Sequence, residues 1–237
     1  MATSRSQRMG IWIITGALVI GTLGSFAVLV LSPKNQASDQ ARFDQLSAEY
    51  SKQYSDYQAK VTARNDKIAN ELSPKYYSTL KQYESRVSPF DAGSVKELKK
   101  EDLTQGTGEE LTENSSFTAY YIGWNPAGKT FDSSINGDKL KAPLDVAPGS
   151  VIKGWSEGVV GMKVGGVREL TIPADQAYGN QAPSEDIPAN TPLKFIIMVI
   201  PKPDAGEQLT PPKMSDELKR LYTQIKGIDP SILEQMQ

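Results

Sequence analysis

Between Ser38 and Leu72 the chain contains neither Gly nor Pro, and from Ser88 onward one or the other recurs every few residues. Because these two residues are the strongest breakers of regular helix, the contrast splits the chain into a stretch able to run as unbroken helix and a stretch cut into short runs by turns. In the first stretch the larger apolar residues are Phe43, Leu46, Tyr50, Tyr54, Tyr57, Val61, Ile68 and Leu72, mostly three or four apart. That spacing predicts a long amphipathic helix. Ser73-Pro74 reads as an N-cap followed by Pro at the first position of a second helix, which places Tyr76, Leu80, Tyr83 and Val87 on one face. A helical stalk or hairpin is therefore expected over residues 36–88. Its heptad does not stay in register, so a regular coiled coil is not supported. Either the two helices pack on each other or the stripe meets a partner.

Ser88-Pro89 through Gly93 reads as a linker. Beyond it, Val95–Leu98, Ser116–Gly123, Leu144–Val146, Val167–Ile172 and Leu193–Ile200 are strand candidates, and LKFIIMVI is apolar enough to be central. Val151–Val160 allows at most two or three helical turns. Many strands and one short helix imply an α+β domain over 94–203, its sheet wrapped on that helix. The tail, 204–237, opens with an exposed Pro-rich linker. Ser215 then caps a short helix that puts Leu218, Leu221, Tyr222 and Ile225 on one face. It is either a surface helix docked on the parent domain or a partner-binding tail.

At the other end, residues 1–9 are polar and carry Arg5 and Arg8, and no charged residue occurs from Met9 to Pro33. At about 1.5 Å per residue the apolar run over 10–32 reaches roughly 30 Å, enough to cross a bilayer core. A cleavable signal peptide would have an apolar region of about 7–15 residues and a small-x-small cleavage site, and this run fits that pattern less well. An uncleaved single span with a cytoplasmic N-terminus is expected, the arginines before it setting the orientation. Ala17, Gly21 and Ser25 recur at four-residue spacing, which lets two spans approach closely, so a homodimer through span or stalk is an open expectation.

The sequence has no Cys and no His. Disulfide frameworks, thiol nucleophiles, zinc-thiolate sites and Ser-His-Asp arrangements are therefore excluded. The formal net charge of −2 gives no basic footprint for nucleic acid. Neither a cofactor nor a metal is expected, and any catalysis should need little proton transfer.

One stretch stands out: VIKGWSEGVVGMKVGG, Val151–Gly166, where Trp155 sits between glycines on a short apolar turn. Together with AYYIGWNPAGKTFDSS, LTIPADQAYGN and IPANTPLKFIIMVI, in this order and spacing, it resembles the FKBP-type peptidyl-prolyl cis-trans isomerases. The resemblance covers roughly Val95–Pro203. It implies an antiparallel β-sheet curled around a short α-helix, with the proline ring of a substrate held in an aromatic cleft between them. By position, Trp155 would form the floor of that cleft, Tyr121, Phe131 and Phe195 its walls, and Val151 and Ile152 its rim. Ile152 would offer its N–H to a substrate carbonyl. Tyr178 would turn its hydroxyl toward the peptide, Asp132 would supply the carboxylate at the edge, and Ile187 would lie on an overhanging loop. The sequence departs from the family at the rim, with Ala142 where a Phe is common and Leu144 two residues on, and with Pro183 and Asp186 in the overhanging loop.

The resulting expectation is a membrane-anchored isomerase acting on Xaa-Pro bonds of proline-containing polypeptide clients outside the cytoplasm and assisting their folding. The rival is a membrane-tethered proline-peptide binding or chaperone module with little catalysis.

Overall fold

The computed structural model describes residues 33–204, 206, 209–228 and 232. The expected cytoplasmic N-terminus and transmembrane span lie outside the described residues. Among the described residues no helix is long and apolar enough to cross a membrane. They divide into two compact units, Asn65–Asp204 in one and the residues up to Arg64 with the tail after Asp204 in the other.

The Gly/Pro-free stretch forms a single helix, α1 (Pro33–Lys81), of 49 residues. The expected break at Ser73-Pro74 does not occur, because Pro74 lies inside the helix. An internal proline costs an isolated helix about 3 kcal/mol or more. Here the turns around it are buried, with Leu72 at 7% and Leu80 at 0% exposure, and full burial of such a side chain returns roughly 1.5–3 kcal/mol. Ser73 does not cap a helix. Its hydroxyl is buried and accepts the Leu140 N–H at 2.8 Å. A 3-10 turn (Gln82–Arg86) then leads into an extended linker.

The domain that follows is built on β1 (Lys99–Thr104), β2 (Phe117–Trp124), β3 (Thr130–Ser133), β6 (Leu144–Val146), β7 (Val167–Ile172) and β8 (Leu193–Ile200). These form one antiparallel sheet in the order β1-β7-β8-β2-β3, and β6 also pairs with β2. Two short strands, β4 (Ile135–Asn136) and β5 (Lys139–Leu140), make a separate ladder. The apolar run of β8 is central, flanked by β7 and β2. The first strand is not Val95–Leu98 but the charged segment KKEDLT after it. Charged residues are poor strand formers, and β1 is held through its partner instead. Asp102 faces Arg168 across the ladder and accepts from its guanidinium at 2.6 and 3.1 Å.

Alternation along the strands gives the sheet two apolar faces. One carries Ala119, Leu170, Ile172, Phe195, Ile197 and Val199 and packs on α2 (Lys153–Gly158). The other carries Tyr120, Ile122, Trp124, Ile196, Met198 and Ile200, each at most 2% exposed. Near its C-terminal end α1 meets this second face. The Tyr76 ring is 6.0 Å from Tyr120, and the Tyr77 hydroxyl donates to the Gly137 carbonyl at 3.2 Å. The end of the expected stalk is thus part of the sheet domain's fold.

In the other unit, α3 (Asp216–Lys226) begins at Ser215, whose side chain accepts the Leu218 N–H, and ends at Gly227 in the left-handed conformation. Leu218 and Leu221 pack with Phe43 and Met214, and Tyr50 and Tyr222 lie against them. Arg42 donates to both Glu217 oxygens, at 3.0 and 2.9 Å. The tail helix therefore docks on the first part of α1.

Candidate functional site

Trp155 reaches the sheet because two glycines let α2 come close to β7. A Cβ at Gly154 would lie 2.3 Å from Ile172 Cγ2, and one at Gly158 would lie 2.4 Å from Leu170 Cδ1. Only a residue without a side chain allows that approach. Arg168 fixes the far end of α2 by donating to the Gly158 and Val160 carbonyls at 2.8 and 3.0 Å. The Ile152 carbonyl accepts from Trp155 N–H and Ser156 N–H at 3.0 and 3.2 Å, so the helix starts directly after the Val151-Ile152 pair.

Four rings then form a continuous array. Tyr121 and Trp155 meet edge to face at 5.4 Å, Trp155 and Phe195 at 5.3 Å, and Phe195 and Phe131 at 5.5 Å. Such pairings contribute beyond the area they bury. Trp155, Phe195 and Ile187 are 4–5% exposed and are the buried members of the group. Tyr121, Phe131, Val151, Ile152 and Tyr178 are half-exposed and pack against the domain core that contains these three. Gly123 makes the array possible, since a Cβ there would lie 2.6 Å from Phe195 and 2.8 Å from Phe131. Leu144, 36% exposed on β6, and the half-buried Ala142 do not belong to this cluster.

The polar groups sit at one edge. The Tyr121 hydroxyl donates to the Asp132 carboxylate, which also accepts the Ser133 N–H at 2.8 Å and pairs with Lys141 at 3.7 Å. Burial first, and the hydrogen bond to Asp132 second, push the Tyr121 hydroxyl well above the ordinary tyrosine range. Burial and the Asp132 charge raise Tyr178 too. Both hydroxyls remain protonated donors at neutral pH. The Ile152 N–H has no partner among the described residues. Nor do these residues include a group of three or more His, Cys, Asp or Glu side chains able to hold a metal ion. The site is a partly exposed cluster of apolar rings with a few fixed polar groups at one edge, chemistry suited to contact with a compact apolar group.

Residues 108–200 match the family model for FKBP-type peptidyl-prolyl cis-trans isomerases. An FK506-binding protein of Neisseria meningitidis is 40% identical over 102 residues, which is 42% of this chain and 91% of that protein. The chain belongs to the FKBP-type peptidyl-prolyl cis-trans isomerases. A Saccharomyces cerevisiae peptidyl-prolyl cis-trans isomerase is 42% identical over 100 residues, covering 42% of this chain and 24% of that one. A solved peptidyl-prolyl cis-trans isomerase from Pseudomonas syringae is 32% identical, covers 53% of this chain and is itself covered to 94%, with a TM-score of 0.39.

Nine of the eleven expected site residues lie in or against one core cluster or are bonded to it, while Ala142 and Leu144 do not. Sequence reading missed Gly123, Gly154 and Gly158, although a glycine inside a strand or helix is a usable signal of close approach. It also missed the hydrogen bond from Asn125 Nδ2 to the Asp186 carbonyl at 2.9 Å, which spans 61 positions.

Proposed function

We propose that the isomerase binds the prolyl ring of its substrate on Trp155, between Tyr121, Phe131 and Phe195, with Val151 and Ile152 at the rim and Ile187, from the overhanging loop, as a further wall. The observation that carries this reading is the four-ring array, floored by buried rings and open on its half-exposed side. Rotation about a peptide bond faces a barrier of about 18–20 kcal/mol because the C–N bond has double-bond character. Twisting the Xaa-Pro amide breaks that conjugation, localises the nitrogen lone pair and lowers the polarity of the carbonyl. A desolvated apolar cleft favours the twisted state over the planar one, and that difference is what accelerates the reaction. The free Ile152 N–H would hold a flanking substrate carbonyl, and the Tyr178 hydroxyl would donate to the bound peptide. Asp132, engaged by Tyr121, keeps that wall upright. No nucleophile or proton relay enters, in keeping with a chain that has neither Cys nor His.

The kinetic test is isomerisation of a short Xaa-Pro peptide series by the full chain beside Trp155→Ala and Asp132→Val. Both variants should lose about tenfold or more in kcat/KM while keeping a cooperative unfolding transition. Wild-type rates from both folded variants would sink the cleft assignment.

The setting belongs to the same proposal. The uncharged run over 10–32, preceded by Arg5 and Arg8, supports a single span with the catalytic domain outside the cytoplasm, acting on polypeptides emerging across the membrane. A chain without Cys makes the check direct, because Lys96→Cys at an exposed position introduces a single thiol. A membrane-impermeant maleimide should label it on intact cells or spheroplasts. Labelling only after lysis would place the domain inside.

A further inference from the structure

The overhanging loop between β7 and β8 carries Ile187, which is 5% exposed and belongs to the same core cluster as Trp155 and Phe195. This loop is closed on itself. The Asn190 N–H donates to the Gly179 carbonyl at 2.6 Å, and the Ile187 N–H donates to the Ser184 carbonyl at 3.1 Å. Its next attachment is to the turn joining β2 and β3, residues 125–129. Asn125 Nδ2 donates to the Asp186 carbonyl at 2.9 Å, and Lys129 Nζ pairs with the Asp186 carboxylate at 2.6 Å. The two contacts differ in kind. Lys129 is 63% exposed, where an ion pair contributes little, whereas Asn125 is 9% exposed, where a hydrogen bond is strong and a lost one costly.

Asn125 is itself held rigidly. Its side-chain oxygen accepts the N–H groups of Ala127 and Lys129, both at 3.1 Å, the side-chain-to-backbone pattern that organises tight turns. The turn is also braced from behind, since the Phe90 N–H donates to the Pro126 carbonyl at 3.0 Å. A Cβ at Gly128, where φ is +76°, would lie 2.7 Å from Pro89 N. One amide therefore has two jobs on two atoms: its oxygen builds the turn, and its nitrogen holds the loop.

We propose that Asn125 is a positioning residue for the isomerase reaction, whose side-chain N–H holds the Asp186 backbone so that Ile187 stands as a fixed wall of the prolyl cleft. It thereby sets the preference for the residue before proline. This rests on the cleft reading above. A wall fixed before substrate arrives discriminates by shape, and a loosened wall accepts every Xaa more equally and stabilises the twisted amide less.

The two jobs can be separated. Asn125→Asp and Asn125→Ser keep an oxygen for the turn and lose the donor that reaches Asp186. The full chain carrying each substitution would be assayed on peptides with Ala, Glu, Leu or Phe before proline, beside wild type and Trp155→Ala. Both Asn125 variants should lose about five- to tenfold in kcat/KM on Leu-Pro and Phe-Pro and about twofold or less on Ala-Pro, chiefly through kcat. Exchange of the Ile187 amide with solvent should be faster in both. A merely structural loss would lower all four peptides by one factor. That result, or wild-type rates from either folded variant across the series while Trp155→Ala is impaired, overturns the proposal and leaves the cleft reading intact. Wild-type rates from Trp155→Ala overturn both.

Discussion

Tyr120 and Tyr121 are neighbours on β2, yet they belong to opposite faces of the sheet and to different kinds of chemistry. Tyr120 is fully buried beside Tyr76 of α1, and its hydroxyl has no partner among the described residues. Tyr121 is half-exposed, meets Trp155 edge to face and donates to Asp132. The face covered by α1 is closed and apolar, so its residues act through volume. The face opposite α2 leaves its rings partly open, so its residues can act through contact with a ligand. The two sides of one strand thus separate stability from activity, and substitutions can test how cleanly.

The largest expected effect comes from removing the cover altogether. A fragment of residues 95–203 keeps every cleft residue but exposes Tyr120, Ile122, Trp124, Ile196, Met198 and Ile200, the buried residues of the second face. It should aggregate or lack a cooperative unfolding transition, whereas a fragment of residues 65–204 should fold. Far-UV circular dichroism and size-exclusion chromatography would compare them. A monomeric, cooperatively folding 95–203 fragment would show that α1 is an accessory to the domain and not a layer of it.

A smaller change, in the covering helix α1, is Leu80→Ala, at a side chain with 0% exposure. Truncating a buried leucine costs about 2–5 kcal/mol, which urea denaturation would read as a lower midpoint with a similar slope. Activity per folded molecule should stay within about twofold of wild type, a range too narrow to signal loss of transition-state contacts. A tenfold loss of kcat/KM in the folded variant would mean that the two faces are coupled.

On the open face, Tyr121→Phe keeps the ring against Trp155 and removes only the donor to Asp132. That carboxylate is 49% exposed and can be rehydrated, so the stability cost should be below about 1 kcal/mol. The kcat/KM should fall about three- to tenfold, the size expected for one oriented hydrogen bond. Unchanged activity would leave Asp132 without a role in holding the wall.

This division also explains what could be read in the sequence. The grouping of these rings could be anticipated from the family resemblance because its residues sit in four short segments whose internal spacing is set by single strands and one helical turn. Trp155 follows directly on the rim pair, and Asp132 directly on Phe131. The second face was less legible, since its cover lies far away in the chain and Ser73-Pro74 mimics a helix start. The burial of Ser73 against Leu140, with that of Leu72 and Leu80, marks the segment as packed helix interior and not a helix start. The edge strand β1 was missed because KKEDLT has the composition of a loop, its strand conformation being imposed by β7 through Asp102 and Arg168. Asn125 was invisible for a similar reason: next to a proline it looks like any turn residue, and its second bond spans 61 positions.

The smallest effect is the sharpest check. In Tyr120→Phe a buried hydroxyl without a partner is replaced by hydrogen, so the variant should be as stable as wild type or more stable by up to about 1 kcal/mol, with unchanged kcat/KM. The same residue leaves a mark at high pH. Burial raises the Tyr120 hydroxyl above its ordinary range, as it does for Tyr121 and Tyr178. Below about pH 10, the value in an unfolded chain, both states keep these protons and the contribution to stability is complete. Above it the unfolded chain ionises while the folded one resists, so stability falls, by at most about 1.4 kcal/mol per pH unit for each such group. Tyr120→Phe removes one group from that slope without touching the cleft. Urea midpoints at pH 8 and pH 10.5 should therefore differ less in the variant than in wild type. Equal slopes would mean that Tyr120 reaches water in the folded state, and the closed face would then be less closed than its packing implies.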